Sequence, residues 1–190
     1  MQNIDVRLDG VAYLNDVSLE FKRGGLYTIL GRTLAGKTTL LRTIAGLQDP
    51  QKGTLTLHGQ DYLRLPVWKR NVAMVYQQFI NYPHLNVLDN VAFPLRRTGL
   101  SCKEARRRAG EVLAKMGLAN FENRRPSSMS GGQQQRVAVA RALVKRADIL
   151  LLDEPLVNLD YKLREQLRDE FQNIFEGQDD AIVAYTTTEP

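Results

Sequence analysis

The run "LYTILG" followed by "RTLAGKTTLLRTIAGL" constrains this chain more than anything else in it. The first stretch reads as a buried strand, and the apolar spacing after Lys37 reads as a helix. Between them stand Gly31, four residues, and then Gly36-Lys37-Thr38. That is the spacing of a loop wrapped around a phosphate, in which backbone N–H groups and the positive end of a helix face the anion. Lys37 would reach the outer phosphates, and Thr38 would offer its hydroxyl to Mg²⁺, a hard cation that prefers oxygen ligands. The candidate contacts are Gly31, Arg32, Thr33, Leu34, Ala35, Gly36, Lys37, Thr38 and Thr39.

Further strand-like runs are "VSLEF", "GTLTLHG", "NVAMVYQ", "DILLLD" and "AIVAYT". "DILLLD" is continuously apolar, as expected of a strand covered on both faces of a mainly parallel sheet, whereas "VSLEF" and "GTLTLHG" alternate like half-exposed strands. Helical patterns cover Lys37–Leu47, Val87–Arg97, Ser101–Met116, Gly131–Lys145 and Asp160–Glu176, and Ser101 with Glu104 forms a capping box. The order predicts an α/β fold: a phosphate-loop nucleotide-binding core on a mainly parallel sheet, with an antiparallel β subdomain and an inserted α-helical subdomain. The expected division is one domain over residues 1–190, with core and β subdomain in 1–77 and 137–190 and the helical subdomain in 78–136. "QQFINYPHLNV" is the expected hinge, since Pro83 can continue neither ladder nor helix.

At 190 residues the chain is long enough for one well-buried core. Its one cysteine, Cys102, cannot form an internal disulfide, which suits a reducing cytosol. Neither a signal peptide nor a bilayer-length apolar run is present, so a membrane role would go through separate subunits. The net charge of +5 suits ATP, anionic headgroups or nucleic acid. Much of it lies in "RRTGLSCKEARRR" and "ENRR", without the aromatic interleaving of a single-strand binding face, so no nucleic-acid partner is expected.

"ILLLDEP" ends an apolar strand in Asp153 and Glu154. Acidic residues there also serve as helix caps, but beside a phosphate loop they fall at the same carboxyl edge of the sheet, where ligands bind. Asp153 then suits Mg²⁺, and Glu154 suits the polarisation of a water attacking the γ-phosphate. In "SGGQQQR", Ser130 is a helix N-cap, and Gly131-Gly132 permit close approach of a phosphate to the bare helix end.

With these residues together, the chain resembles the ATP-binding subunit of an ABC transporter over nearly its whole length. "GRTLAGKTT" resembles the Walker A loop, Gln77 in "VYQQ" the Q-loop glutamine, "MSGGQ" the signature, "ILLLDEP" Walker B, and "LVNLD" through Asp160 the D-loop. The resemblance implies ATP and Mg²⁺ as cofactors and a head-to-tail pair of such subunits. In that pair, Ser130, Gly131, Gly132 and Gln133 serve the partner's nucleotide, and Gln77 approaches Mg²⁺ and the attacking water. It also implies permease subunits in the membrane, an indirect link to a substrate-binding protein, and a peripheral place on the cytoplasmic face of the inner membrane. "NYPHLNVLDNVAFPL" and "DEPLVNLDYKLR" resemble the sugar and polyol importers, and "VAMVYQQFINYPHL" with "AYTTTEP" resembles the ATPase subunits of bacterial glycerol importers.

Several positions depart from the family. Leu34 stands where glycine is usual, so strain is expected if its φ is positive. Met129 replaces leucine, and Val157 stands where this branch has serine. The adenine-stacking aromatic falls near Leu8, with Tyr13 the nearest candidate. The switch histidine of "THD" falls on Thr188, and neither His58 nor His84 is near it in the pattern. A threonine hydroxyl can bond a phosphate but carries no positive charge. An asymmetric pair with a different ATPase subunit is therefore expected, with a homodimer the alternative. The chain also stops before the β-rich regulatory domain of these importers. A DNA-repair or chromosome-organising ATPase would carry long coiled coils between Gly31 and Ser130, and a ribosome-associated ATPase would normally carry two cores. A module that holds ATP without hydrolysing it is the third alternative.

Overall fold

Asp9-Gly10 folds the start of the chain into a hairpin. In the computed structural model, which describes residues 1–155 and 180–188, both residues have positive φ, 50° and 81°. Paired positive φ values suit the tight turns whose twist matches antiparallel strands. Among the described residues the strands are β1 (Gln2–Leu8), β2 (Val11–Val17), β3 (Leu26–Leu30), β4 (Lys52–Thr54), β5 (Thr56–Leu57), β6 (Gln60–Asp61), β7 (Val72–Val75), β8 (Ile149–Leu152) and β9 (Ile182–Thr187). The helices are α1 (Lys37–Ala45), α2 (Val87–Arg97), α3 (Cys102–Lys115) and α4 (Gly131–Leu143).

The first of two compact units comprises Met1–Met74, Asp148–Glu154 and the residues from Asp180. It contains an antiparallel sheet, β2-β1-β4, and a second sheet in the order β3-β9-β8-β7. β9 runs parallel to both neighbours, in register Leu30↔Thr187 on one side and Leu152↔Tyr185 on the other. All four residues of β8 are buried, as its unbroken apolar sequence requires. Leu40, Leu41 and Ile44 of α1 close a core with Ile4, Val6, Leu14, Ile149, Leu151, Ile182 and Ala184. Truncating the fully buried Leu41 to alanine would cost about 2–5 kcal/mol. The strand expected at "VSLEF" is not formed: the β1–β2 ladder ends at the pair Ile4↔Val17, and the following residues are irregular.

The second unit holds Val75–Ala147. It is wider than the 78–136 expected, because α4 packs on α2 and α3 and buries Val137, Ala138 and Ala140. Ala105 and Ala109 are the small buried residues on α3, and Arg106 pairs with Asp89 of α2 at 3.2 Å. Asn90 is fully buried: its amide nitrogen lies 3.0–3.1 Å from the carbonyls of Tyr82, Leu85 and Asn86, and its oxygen accepts from the Tyr82 N–H at 2.8 Å. That clamp shapes the "NYPHL" loop. Tyr82 packs against Phe93 at 4.9 Å and beneath the Arg141 guanidinium at 4.7 Å, so it belongs to the unit's packing, whereas Ile80 is 63% exposed. The helix expected over Asp160–Glu176 lies outside the described residues. Among those described, no helix is long and apolar enough to cross a membrane.

Candidate functional site

Three parallel strands deliver their carboxyl ends to one edge, and the phosphate loop leaves from there. Gly31, just past β3, donates its N–H to the Thr187 carbonyl at the end of β9 (3.2 Å). Arg32, Thr33, Leu34 and Ala35 form the exposed crest of the loop, while Gly36, Lys37 and Thr39 are buried at its base. Gly36 caps α1 at φ 86°, and a Cβ there would lie 2.4 Å from the Tyr13 carbonyl oxygen, so conformation and space both demand glycine. Leu34 has φ 68° with its side chain 87% exposed: the strain expected of a leucine here is present and no packing offsets it.

Lys37 folds back over the loop. Its ammonium donates to the carbonyls of Gly31 (2.7 Å) and Arg32 (3.2 Å) and stands 3.1 Å from Glu154 Oε1. Asp153 is 3% exposed, and its Oδ1 accepts from Thr38 Oγ1 at 3.0 Å and from Thr186 Oγ1 at 2.9 Å. The Thr186 hydroxyl also accepts from the Glu154 N–H at 2.9 Å. Glu154 itself has φ 46°, an uncommon backbone for a non-glycine residue. Thr186 is absent from the residues picked out by sequence, and its only signal is a hydroxyl in an otherwise buried strand.

Lys37, Thr38, Asp153 and Glu154 are therefore brought together at one edge of the sheet. Thr188 sits just past β9, exposed and next to the Thr187 carbonyl that anchors Gly31. Tyr13 is half-buried in β2, with its backbone carbonyl against Gly36. The donors fit Mg²⁺ carried on a nucleotide: one buried carboxylate and one hydroxyl lie beside an anion cradle, and among the described residues no group of three or more His, Cys, Asp or Glu stands together.

Gln77 and the Ser130–Gln133 run belong to the second unit. Gln77 is exposed just beyond β7. Ser130 caps α4 by accepting from the Gln133 N–H (3.3 Å), and the Gln133 side chain accepts from the Ser130 N–H (3.1 Å). This reciprocal cap fixes the helix start, with Gly131 and Gly132 as its first turn. Met129 is buried beside it, at 7% exposure. Asp160 and Val157 lie outside the described residues.

The strand–loop–helix and the strand-end carboxylates define a phosphate-loop NTPase. The sequence model of the ABC transporter family matches residues 14–157, and the chain belongs to that family. It is 46% identical over 174 residues to the spermidine/putrescine import ATP-binding protein PotA of Rubrobacter xylanophilus, covering 92% of this chain and 46% of that protein. It is 47% identical over 173 residues to the Fe(3+) ions import ATP-binding protein FbpC 1 of Rhizobium meliloti, covering 91% and 49%. The chain thus spans about half the length of the curated relatives it matches. The ATP-binding cassette MJ0796, solved as a dimer in a post-hydrolysis state bound to ADP and Pi, superposes with a TM-score of 0.86 at 31% identity, over 99% of this chain and 87% of that one. The fold is that of an ABC ATPase cassette, with ATP as its nucleotide and Mg²⁺ as the usual companion.

Proposed function

We propose that this chain is the ATP-binding part of an ABC importer, converting ATP binding and hydrolysis into movement of separate membrane subunits. The observation that carries the reading is the meeting of Lys37, Thr38, Asp153 and Glu154 at one sheet edge. Mg²⁺ would neutralise phosphate charge there, held by Thr38 and Asp153, and Gln77 is the further candidate ligand that the family resemblance supplies. Lys37 binds the outer phosphates through its ammonium, and the backbone N–H groups of Gly31–Thr39 hold their oxygens. Glu154 accepts the proton of the attacking water at a carboxylate oxygen. Tyr13 is the candidate for stacking on adenine. Ser130, Gly131, Gly132 and Gln133 would act on the nucleotide of a second subunit, with Asp160 at the seam between the two.

Thr188 stands where the family carries its switch histidine. Loss of that contact would remove about 2–4 kcal/mol of transition-state stabilisation, or roughly thirty- to a thousand-fold in rate. The signature sequence is intact, which favours a hetero-pair in which this chain's own site is slow and its signature completes a faster site on the partner. Feeble ATP turnover by the full-length protein alone, strong stimulation by the partner, and greater damage to the pair from Gly131→Asp than from Glu154→Gln are the expected results. Rapid turnover by the purified homodimer would refute the asymmetric pair.

Docking on an integral membrane subunit would use the second unit, where Ile80 is 63% exposed and His84 is also exposed. Cross-links from His84 to a permease loop test this, and would put the chain peripherally on the cytoplasmic face of the membrane, with a substrate-binding protein reached only indirectly. The cargo expected from the sequence is a small carbohydrate or polyol such as glycerol. It rests on the "NYPHLNV", "DEPLVNLD" and "AYTTTEP" wording, whereas the relatives described above are named for polyamine and iron import. Uptake of labelled glycerol, spermidine and iron in a deletion strain separates the three.

A further inference from the structure

Thr186 has no part in the motif-based assignments, yet it touches both of the residues on which Walker B chemistry would depend. Its side chain is fully buried. Its hydroxyl donates to Asp153 Oδ1 at 2.9 Å and accepts from the Glu154 N–H at 2.9 Å. A hydroxyl carries one proton, so its donor capacity is spent on the carboxylate. The contact follows from register: β8 and β9 are parallel with Leu152 opposite Tyr185, so one further step brings Asp153 beside Thr186.

We propose that Thr186 is a positioning residue for the Mg²⁺ site, a role that rests on the ATP-binding reading above. Asp153 Oδ1 takes two hydroxyl protons, from Thr38 at 3.0 Å and from Thr186, which fixes the plane of the carboxylate and leaves Oδ2 uncommitted to either hydroxyl. The second bond holds the backbone of Glu154 where φ is 46°, a conformation that local preference does not supply. From there the Glu154 side chain reaches Lys37 Nζ. One buried hydroxyl thus orients the metal carboxylate and the backbone of the candidate base together. Outer partners of this kind act by orienting a ligand that itself meets the metal.

The test compares wild type with Thr186→Val, which keeps the branched shape and removes the hydroxyl, and Thr186→Ser, which restores the hydroxyl without the methyl. Binding of a fluorescent ATP analogue to the full-length protein is titrated in EDTA and in Mg²⁺. The expected result is that T186V still binds in EDTA through the phosphate loop, but that the gain Mg²⁺ brings over its own EDTA value falls about tenfold or more. T186S should keep that gain. A wild-type Mg²⁺ gain in T186V overturns the proposal, as does a T186S that behaves like T186V, because packing alone would then explain the residue. If T186V does not fold, Thr186→Cys takes its place: its thiol is a weak donor, so a reduced gain is expected and an undiminished one overturns the role. Absence of nucleotide binding by wild type in both conditions would strike the ATP-binding reading and this role with it, whereas an unchanged Mg²⁺ gain strikes this role alone.

Discussion

Glu154→Gln should make the protein less stable and its nucleotide affinity higher. Lys37 Nζ and Glu154 Oε1 are 3.1 Å apart, with side chains only 6% and 15% exposed. At an effective dielectric constant near 20 the Coulomb attraction at that separation is about 5 kcal/mol, most of it offset by the cost of withdrawing both charges from water. Glutamine keeps an oxygen that can accept from Nζ, and the ammonium keeps the Gly31 and Arg32 carbonyls. The net loss of stability in E154Q should therefore be about 1–2 kcal/mol. Lys37→Ala instead removes the cation from a largely buried ion pair, so about 3–5 kcal/mol is expected, together with loss of ATP binding. The lysine is thus a structural strut of the loop, through the Gly31 and Arg32 carbonyls and Glu154, besides its proposed contact with phosphate. The carboxylate also competes with phosphate oxygens for the ammonium, so removing its charge should tighten ATP binding in EDTA by about 1–2 kcal/mol, or roughly five- to thirty-fold. Urea unfolding and calorimetric titration at fixed ionic strength measure both effects. An E154Q variant as stable as wild type that binds ATP no more tightly would show that the ion pair contributes nothing.

Leu34→Gly should stabilise the protein by about 0.5 kcal/mol, because relief of a left-handed leucine outweighs the added freedom of the unfolded chain; a lower urea midpoint would contradict this. Asn90→Leu removes the side-chain hydrogen bonds and takes the Asn90 acceptor from the Tyr82 N–H, so the helical unit should lose about 3–4 kcal/mol, read from amide exchange in α2. Hydrogen bonds from Arg107 and Arg108 hold the Glu104 carboxyl at about 2, below its ordinary 4.5. A depressed folded-state value means that this contribution is complete above pH 4.5 and is lost as the pH falls toward 2. Glu104→Gln should flatten the melting-temperature profile in that window, and salt should weaken the wild-type slope because the cluster is exposed.

Local pattern determined a good deal of this protein. Gly31 and Gly36-Lys37-Thr38 located the phosphate loop. Spacing and capping residues placed α2 at Val87–Arg97 and started α3 and α4 after Ser101 and Ser130, because a helix closes its hydrogen bonds within a few residues. The unbroken apolar run of β8 was legible for a similar reason, since a strand buried on both faces has no polar face to show. The β1–β2 hairpin at Asp9-Gly10 was not among the strands expected, and the alternation in "VSLEF" drew a strand too far along the chain. Only the tertiary structure decided which strands are neighbours and in what register. That choice brings Thr186, more than thirty residues away in sequence, to Asp153 and Glu154, and folds Glu154 onto Lys37. Parallel pairing is set by packing of distant segments, and no local pattern of residues encodes it.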